Sequence, residues 1–236
     1  MTVQRLSGKI ALITGASRGI GSAIAREMAK EGAHVILLAK SGKGLEATDD
    51  AIRADGGNAT LMPVDLTQLD DINNIGQVIF DRFGRLDIFV GNAGLLGTLG
   101  PVHQADPKEW ARVMDVNVNA NFRLIRTLDP LLRHAPHGRA IFVSSSQEVT
   151  KGRAYWGAYG VSKAALETLA MTYAAETAKT SLRVNVIDPG RIRTQMRAAA
   201  APGEDPMSIR APEDIAPAFV DVCLPSETRH GEVIRL

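Results

Sequence analysis

The stretch Ile10-Ala11-Leu12-Ile13-Thr14-Gly15-Ala16-Ser17-Arg18-Gly19-Ile20-Gly21, which runs directly into Ser22 to Lys30, decides the fold. Four apolar residues in succession suit a strand buried on both faces, because a strand with one wet face alternates apolar with polar. Further on, Ile20, Ile24, Met28 and Ala29 recur at helical spacing and give the next segment one apolar face. Between the two lie Gly15, Gly19 and Gly21. Glycine lets a backbone turn tightly and approach an anion, and a helix N-terminus offers unpaired N–H groups to that anion. A glycine turn alone is a weak signal, but its place between a first strand and a first helix marks a pyrophosphate-binding unit.

The same alternation continues outward. Apolar runs dense in Val, Ile and Leu recur at 10–13, 34–39, 61–64, 86–90, 140–143 and 182–187, and a seventh, Glu232 to Leu236, ends the sequence. Helix-spaced stretches separate them, such as the face formed by Ile72, Ile75, Val78 and Ile79. Strand and helix in regular alternation imply right-handed crossovers. The predicted fold is therefore α/β: a Rossmann-type three-layer sandwich, with a doubly wound seven-stranded parallel sheet and helices on both faces. At roughly 100–200 residues per domain, 236 residues fit one large domain or two small ones. No linker or composition shift divides them, so residues 1–236 are read as a single domain. The loosest segment, Ala198 to Pro206, lies within a short substrate loop at about 195–211, expected to be an open or mobile lid.

Composition excludes several classes of function. Lys plus Arg number 27 against 26 Asp plus Glu, and a net charge of +1 offers no general attraction to nucleic acid or to an anionic membrane. Cys223 is the sole cysteine, so neither an internal disulfide nor a thiolate metal cluster can form. The five histidines are scattered, and no metal site is predicted. The start, Met1-Thr2-Val3 onward to Ile13, contains no apolar run long enough for a signal or a membrane span, and a cytoplasmic location is expected.

The second strand ends in Ala39-Lys40-Ser41, with no carboxylate before Glu46. A fold that holds NAD places an acidic residue there for the ribose 2′-OH, whereas a 2′-phosphate needs a cation. Lys40, with Arg18 from the glycine turn, predicts NADP(H). Further along stand Asp65-Leu66, then Gly91-Asn92-Ala93-Gly94, then Asp115-Val116-Asn117-Val118. Ser144-Ser145-Ser146 follows the fifth strand, Tyr159-Gly160-Val161-Ser162-Lys163 opens a long helical stretch, and Asp188-Pro189-Gly190-Arg191-Ile192-Arg193-Thr194 follows the sixth strand. Residues four apart share a helix face, so Tyr159 and Lys163 can converge on one point.

Taken together and in this order, these elements resemble the short-chain dehydrogenase/reductase family, over residues 8 to about 235. The resemblance implies a cofactor site formed by Gly15, Ser17, Arg18, Gly19, Ile20, Gly21, Lys40, Asp65, Leu66, Asn92, Ala93, Gly94, Tyr159, Lys163, Pro189, Gly190, Ile192 and Thr194. Asp65 would lie near the adenine, although it could equally cap the next helix. Gly91 stands where the family usually has Asn, which bears on support of the strand more than on the cofactor. The implied catalytic set is Asn117, Ser145, Tyr159 and Lys163. A phenol of pKa about 10 is a poor base at neutral pH, and a neighbouring Lys163 cation favours its phenolate. Tyr159 is thus expected to exchange the proton, Ser145 to hold the substrate oxygen, and Asn117 to support a water path. Counting back from Tyr159 would allow Ser146 instead of Ser145; the strand pattern favours Ser145.

The expected reaction moves hydride between nicotinamide and a carbonyl or secondary alcohol. Enoyl reductases of the superfamily separate Tyr and Lys by six residues, and Trp156 occupies that position here, which argues for carbonyl chemistry. A 3-oxoacyl thioester reductase is a specific case of this reading. A non-catalytic NADP-responsive binding or regulatory protein is the alternative of another class. The resemblance also implies a homodimer or homotetramer, assembled through the Tyr159 helix and the last strand.

Overall fold

The computed structural model describes residues 4–236, with the side chains of residues 147 and 148 excepted; the Met1-Thr2-Val3 start lies outside the described residues. In chain order, β1 (Ile10–Thr14), α1 (Gly19–Lys30), β2 (His34–Ala39), α2 (Gly42–Ala54) and β3 (Asn58–Pro63) form the first half of the sheet. A 3-10 turn (Leu69–Asn74), α3 (Ile75–Phe83) and β4 (Ile88–Gly91) lead into α4 (Pro107–Met114). A π-type turn (Asp115–Asn119) then joins α4 to α5 (Ala120–His134), followed by β5 (Arg139–Val143) and the short α6 (Gln147–Thr150). The chain finishes with α7 (Gly157–Thr177), β6 (Arg183–Asp188), α8 (Gln195–Ala200), α9 (Pro212–Val222) and β7 (Val233–Arg235).

All seven strands run parallel in the order β3-β2-β1-β4-β5-β6-β7. The direction of winding reverses between β1 and β4, so a crevice opens beyond the carboxyl ends of these two strands. Side chains alternate between two cores. Ala11, Ile13, Val35, Leu37, Ile141 and Val143 face α1, α2 and α9. Leu12, Ile36, Leu38, Ala140 and Phe142 face α3, α5 and α7. Burial on both sides is why these strands read as unbroken apolar runs, each large side chain contributing roughly 1.5–3 kcal/mol.

Several boundaries differ from the sequence reading. The third strand begins at Asn58 and not at residue 61, because backbone pairing with β2 extends beyond the apolar run. The fourth spans Ile88–Gly91 in place of 86–90, and the seventh is Val233–Arg235. Val78, assigned to the apolar face with Ile72, Ile75 and Ile79, is 51% exposed, since the segment starts as a 3-10 turn whose period does not continue into α3. The 195–211 segment is folded: α8 and a short 3-10 turn (Pro206–Ser208) are joined by an ion pair from Arg197 to Glu204, to which Arg191 adds a third contact. The segment therefore contains local helical structure and an internal ion pair rather than irregular chain throughout. Cys223 is buried, and burial raises its thiol pKa to about 12, in keeping with a small hydrophobe. Among the described residues, no helix is long and apolar enough to cross a membrane.

Candidate active site

The glycine turn is shaped by contact with the loop after β4. Gly15 has φ +66°, and a Cβ there would lie 2.9 Å from Asn92 Nδ2; at Gly21 a Cβ would fall 2.4 Å from the Gly15 carbonyl oxygen. Neither position can hold a side chain. Thr14, at the end of β1, accepts hydrogen bonds from the Asn92 and Ala93 amides and donates to the Val90 carbonyl. Asn92 Nδ2 donates to the Thr14 carbonyl at 2.8 Å. Sequence reading gave Thr14 no role, because its partners lie 76 or more residues away. The α1 N-cap, Arg18, makes no side-chain cap, and the first turn contains no carboxylate. The positive end of the helix dipole thus meets the crevice without an internal anion. A pyrophosphate fits this cradle.

A cleft of about 1460 Å³ joins the glycine turn to the residues after β4, β5 and β6. Every residue expected to bind cofactor lines it, as do Ser145 and Ser146. Two of the cationic positions have protein partners. Lys40 Nζ lies 2.7 Å from Asp65, whose carboxylate also accepts from the Thr67 amide and hydroxyl. Asp65 therefore closes a turn onto Thr67, and the following 3-10 segment has no side-chain cap. Arg18 Nη1 donates to Gln195 Oε1 at 2.7 Å, connecting the glycine turn to α8.

At the other end of the cleft, α7 brings Tyr159 and Lys163 to one face, both buried. Tyr159 shares a hydrogen bond with Ser145. Burial raises its pKa, the Ser145 bond opposes this, and the Asp188 charge adds to the rise. Lys163 Nζ lies 5.7 Å from the Tyr159 ring centroid and donates to the Val143 carbonyl at 2.7 Å. Burial pulls its pKa down to about 8, against a smaller opposing effect of the Glu167 charge. The three serines have different partners: Ser144 donates to Glu167, Ser145 meets Tyr159, and the Ser146 carbonyl accepts from the α6 amides of Val149 and Thr150.

Asn117 does not line the cleft. It is fully buried in the π-type turn, where its Oδ1 accepts from the Leu95 amide and its Nδ2 donates to the Leu95 carbonyl and to Ser162. Ser162 in turn donates to the Tyr159 carbonyl. The side-chain amide's bonding capacity is thus directed into the protein, toward Leu95 and Ser162. Asn117 braces the Leu95 loop against α7. Lys163 Nζ and Asn117 Oδ1 both stand 3.5 Å from where a Gly94 Cβ would be, so the loop after β4 lies against both side chains.

Gly91 occupies the last position of β4. A Cβ there would lie 2.4 Å from Asn121 Oδ1, so the Asn121 side chain of α5 fills the space that a larger residue would take. Asn121 Nδ2 donates to the Asn117 carbonyl.

Comparison with known proteins agrees with this geometry. The short chain dehydrogenase family model matches residues 9–205. A protein described as "uncharacterized oxidoreductase YciK", from Escherichia coli K12, is 40% identical over 218 residues, covering 91% of this chain and 86% of its own. Versicolorin reductase of Emericella nidulans is 35% identical, over 81% of this chain and 72% of its own. A short chain dehydrogenase from Escherichia coli CFT073, crystallised with NADPH, has a TM-score of 0.93 and 38% identity, covering 100% of this chain and 99% of that one. One from Shigella flexneri, complexed with NADP, has a TM-score of 0.94 and 38% identity, with 99% of each chain covered. The chain belongs to the short chain dehydrogenase family.

Proposed function

We propose that the protein is an NADP(H)-dependent oxidoreductase that interconverts a carbonyl compound and a secondary alcohol, with the whole described chain serving as one nucleotide-binding unit. The observation that carries the reading is the meeting of Ser145, buried Tyr159 and buried Lys163 at one end of a cleft whose other end is the glycine turn. NADP fits the crystallised relatives and the chemistry of Arg18 and Lys40, which would release Gln195 and Asp65 to hold a 2′-phosphate. The α1 N-terminus and the glycine backbone would hold the pyrophosphate. Asn92, Ala93, Gly94, Pro189, Gly190, Ile192 and Thr194 border the remainder. Bound nicotinamide supplies or takes up the hydride.

The residues do the rest. Ser145 donates a hydrogen bond to the substrate oxygen, stabilising the negative charge that develops there. The Tyr159 hydroxyl gives its proton to that oxygen in reduction and takes it back in oxidation. The Lys163 cation favours the phenolate left behind. Asn117 acts as a positioning residue, through the Leu95 loop and Ser162. A binding protein without catalysis has no use for a buried phenol beside a buried lysine, since both raise the cost of folding. Assembly as a homodimer through α5 and α7 accords with exposed Phe122 and Val161.

NADPH consumption against a panel of ketones, aldehydes and 3-oxoacyl thioesters tests the reading. Tyr159→Phe is expected to lower kcat by about three orders of magnitude, the range of acid–base catalysis, while the NADPH Kd changes little. Near-normal turnover of that variant would refute the role of Tyr159. A kcat/KM favouring NADH would refute the cofactor assignment.

A further inference from the structure

The end of β5 is tied to α7 residue by residue. Val143, the last residue of the strand, accepts at its carbonyl from Lys163 Nζ at 2.7 Å. Ser144 donates its hydroxyl to Glu167 Oε1 at 2.6 Å, and Ser145 shares a hydrogen bond with Tyr159. On the helix these partners are Tyr159, Lys163 and Glu167, each four residues from the next, so all three share one face. Two of them belong to the catalytic set. The third, Glu167, receives a bond as short as charge-assisted O–H···O bonds are, and it fixes the residue between the acceptor of Lys163 and the partner of Tyr159. The Ser144 amide, donating to the Ile187 carbonyl of β6 at 2.9 Å, fixes that residue from the sheet side.

Lys163 is 3% exposed and forms no ion pair among the described residues; the Val143 carbonyl it touches is neutral. A buried cation in that position is costly, and a carboxylate nearby offsets the cost. Glu167 stands one helical turn away. It is half-buried and lines a side cavity of about 630 Å³, bounded by α7 and β7, that reaches Ser145. Lys151 after α6, Asp188 at the end of β6 and Arg235 on β7 line the same cavity. Of these charges, that of Glu167 supports the Lys163 cation against burial, whereas that of Asp188 bears on Tyr159. Elsewhere along α7, Arg139 and Arg183 begin β5 and β6 at the opposite end of the sheet, and Asp115 accepts from Asn119. Helix α4, with Lys108, Glu109 and Arg112, meets α7 through Trp110 at Gly157.

Resting on the oxidoreductase reading, we propose that Glu167 is a positioning residue of the reaction that acts on two neighbours at once. Its charge holds Lys163 as a cation, and its bond to Ser144 holds Ser145 against Tyr159. Tyr159, Lys163 and Glu167 thus form one row, of which the first exchanges the proton and the last keeps the other two in their working state.

The test is the pH profile of NADPH-dependent reduction by the full chain, with the best ketone or aldehyde of the panel. Glu167→Gln keeps the size and an acceptor for Ser144 while removing the charge. Its ratio of kcat/KM at pH 6.5 to that at pH 8.5 is expected to be about 3- to 6-fold that of the parent, because the alkaline limb moves to lower pH. Glu167→Asp, which retains the charge, should leave the limb in place. Ser144→Ala, which retains the charge and removes the bond, should lower kcat about 3- to 10-fold at every pH without displacing the limb. NADPH binding by fluorescence verifies the folding of each variant, and Glu167→Asn beside Glu167→Asp repeats the comparison should Gln disturb it. A limb unmoved by the neutral variants, or moved as far by Ser144→Ala, would overturn the inference and leave the oxidoreductase reading standing on the parent's turnover. No turnover of any carbonyl by the parent despite NADPH binding would overturn both.

Discussion

Lys163 shows how one side chain is tuned by its surroundings. Buried beside Tyr159, it has a pKa of about 8, below the ordinary lysine value, because the apolar interior disfavours its cation. Below pH 8 it is charged and supports the phenolate left after Tyr159 donates. As pH rises through about 8 the cation is lost, so the kcat/KM of carbonyl reduction should fall along a limb centred near 8. A pH profile flat to pH 10 would contradict the assignment. Tyr159 itself shifts upward through burial and stays protonated at neutral pH, the state that reduction requires. The pair was legible in the sequence from its spacing of four, which any helix converts into proximity. The pKa values were not, because burial depends on β5, α7 and the Leu95 loop packing together.

At the scale of elements, β4 and α5 share one space. Gly91 ends β4 without a side chain, and Asn121 from α5 fills the gap, its Oδ1 buried and without a hydrogen-bond partner. Gly91→Asn places a second amide in the same volume, and overpacking of this kind costs about 1–3 kcal/mol. A thermal melt should show the midpoint fall by several degrees, and combining Gly91→Asn with Asn121→Ala should restore much of it. Equal midpoints for Gly91→Asn and the parent would show that the space is not shared. Sequence reading expected Gly91 to weaken strand support; the strand instead includes Gly91, paired with Phe142 on β5. The compensation was invisible in the sequence because its two halves lie 30 positions apart on different elements. By contrast, α7 was readable almost to its ends, since its length and apolar content leave little choice.

For the molecule as a whole, stability and chemistry are concentrated at opposite ends of the sheet. Arg139 begins β5, fully buried, and donates to the carbonyls of Gly138, Leu224 and Glu227 beyond the end of α9. Arg139→Met leaves these buried acceptors unsatisfied, at a cost of about 3 kcal/mol. The melting temperature is expected to drop on the order of 10 °C while the KM for NADPH is unchanged; a changed KM with an unchanged melting temperature would contradict this separation. The amino-acid sequence by itself determined the parallel α/β sandwich, because continuous apolar runs alternating with helix-period segments admit few other layerings. It also determined the glycine cradle and the Tyr159 and Lys163 pair, because these depend on local geometry. Only the tertiary structure decided that Asn117 turns inward, that Lys40 rests on Asp65, and that residues 195–211 fold under an Arg197 clamp. Most of these depend on contacts between segments separated in the chain, and even the Arg197 clamp, which reaches only seven residues to Glu204, needs a fold of the segment that chain connectivity alone does not specify.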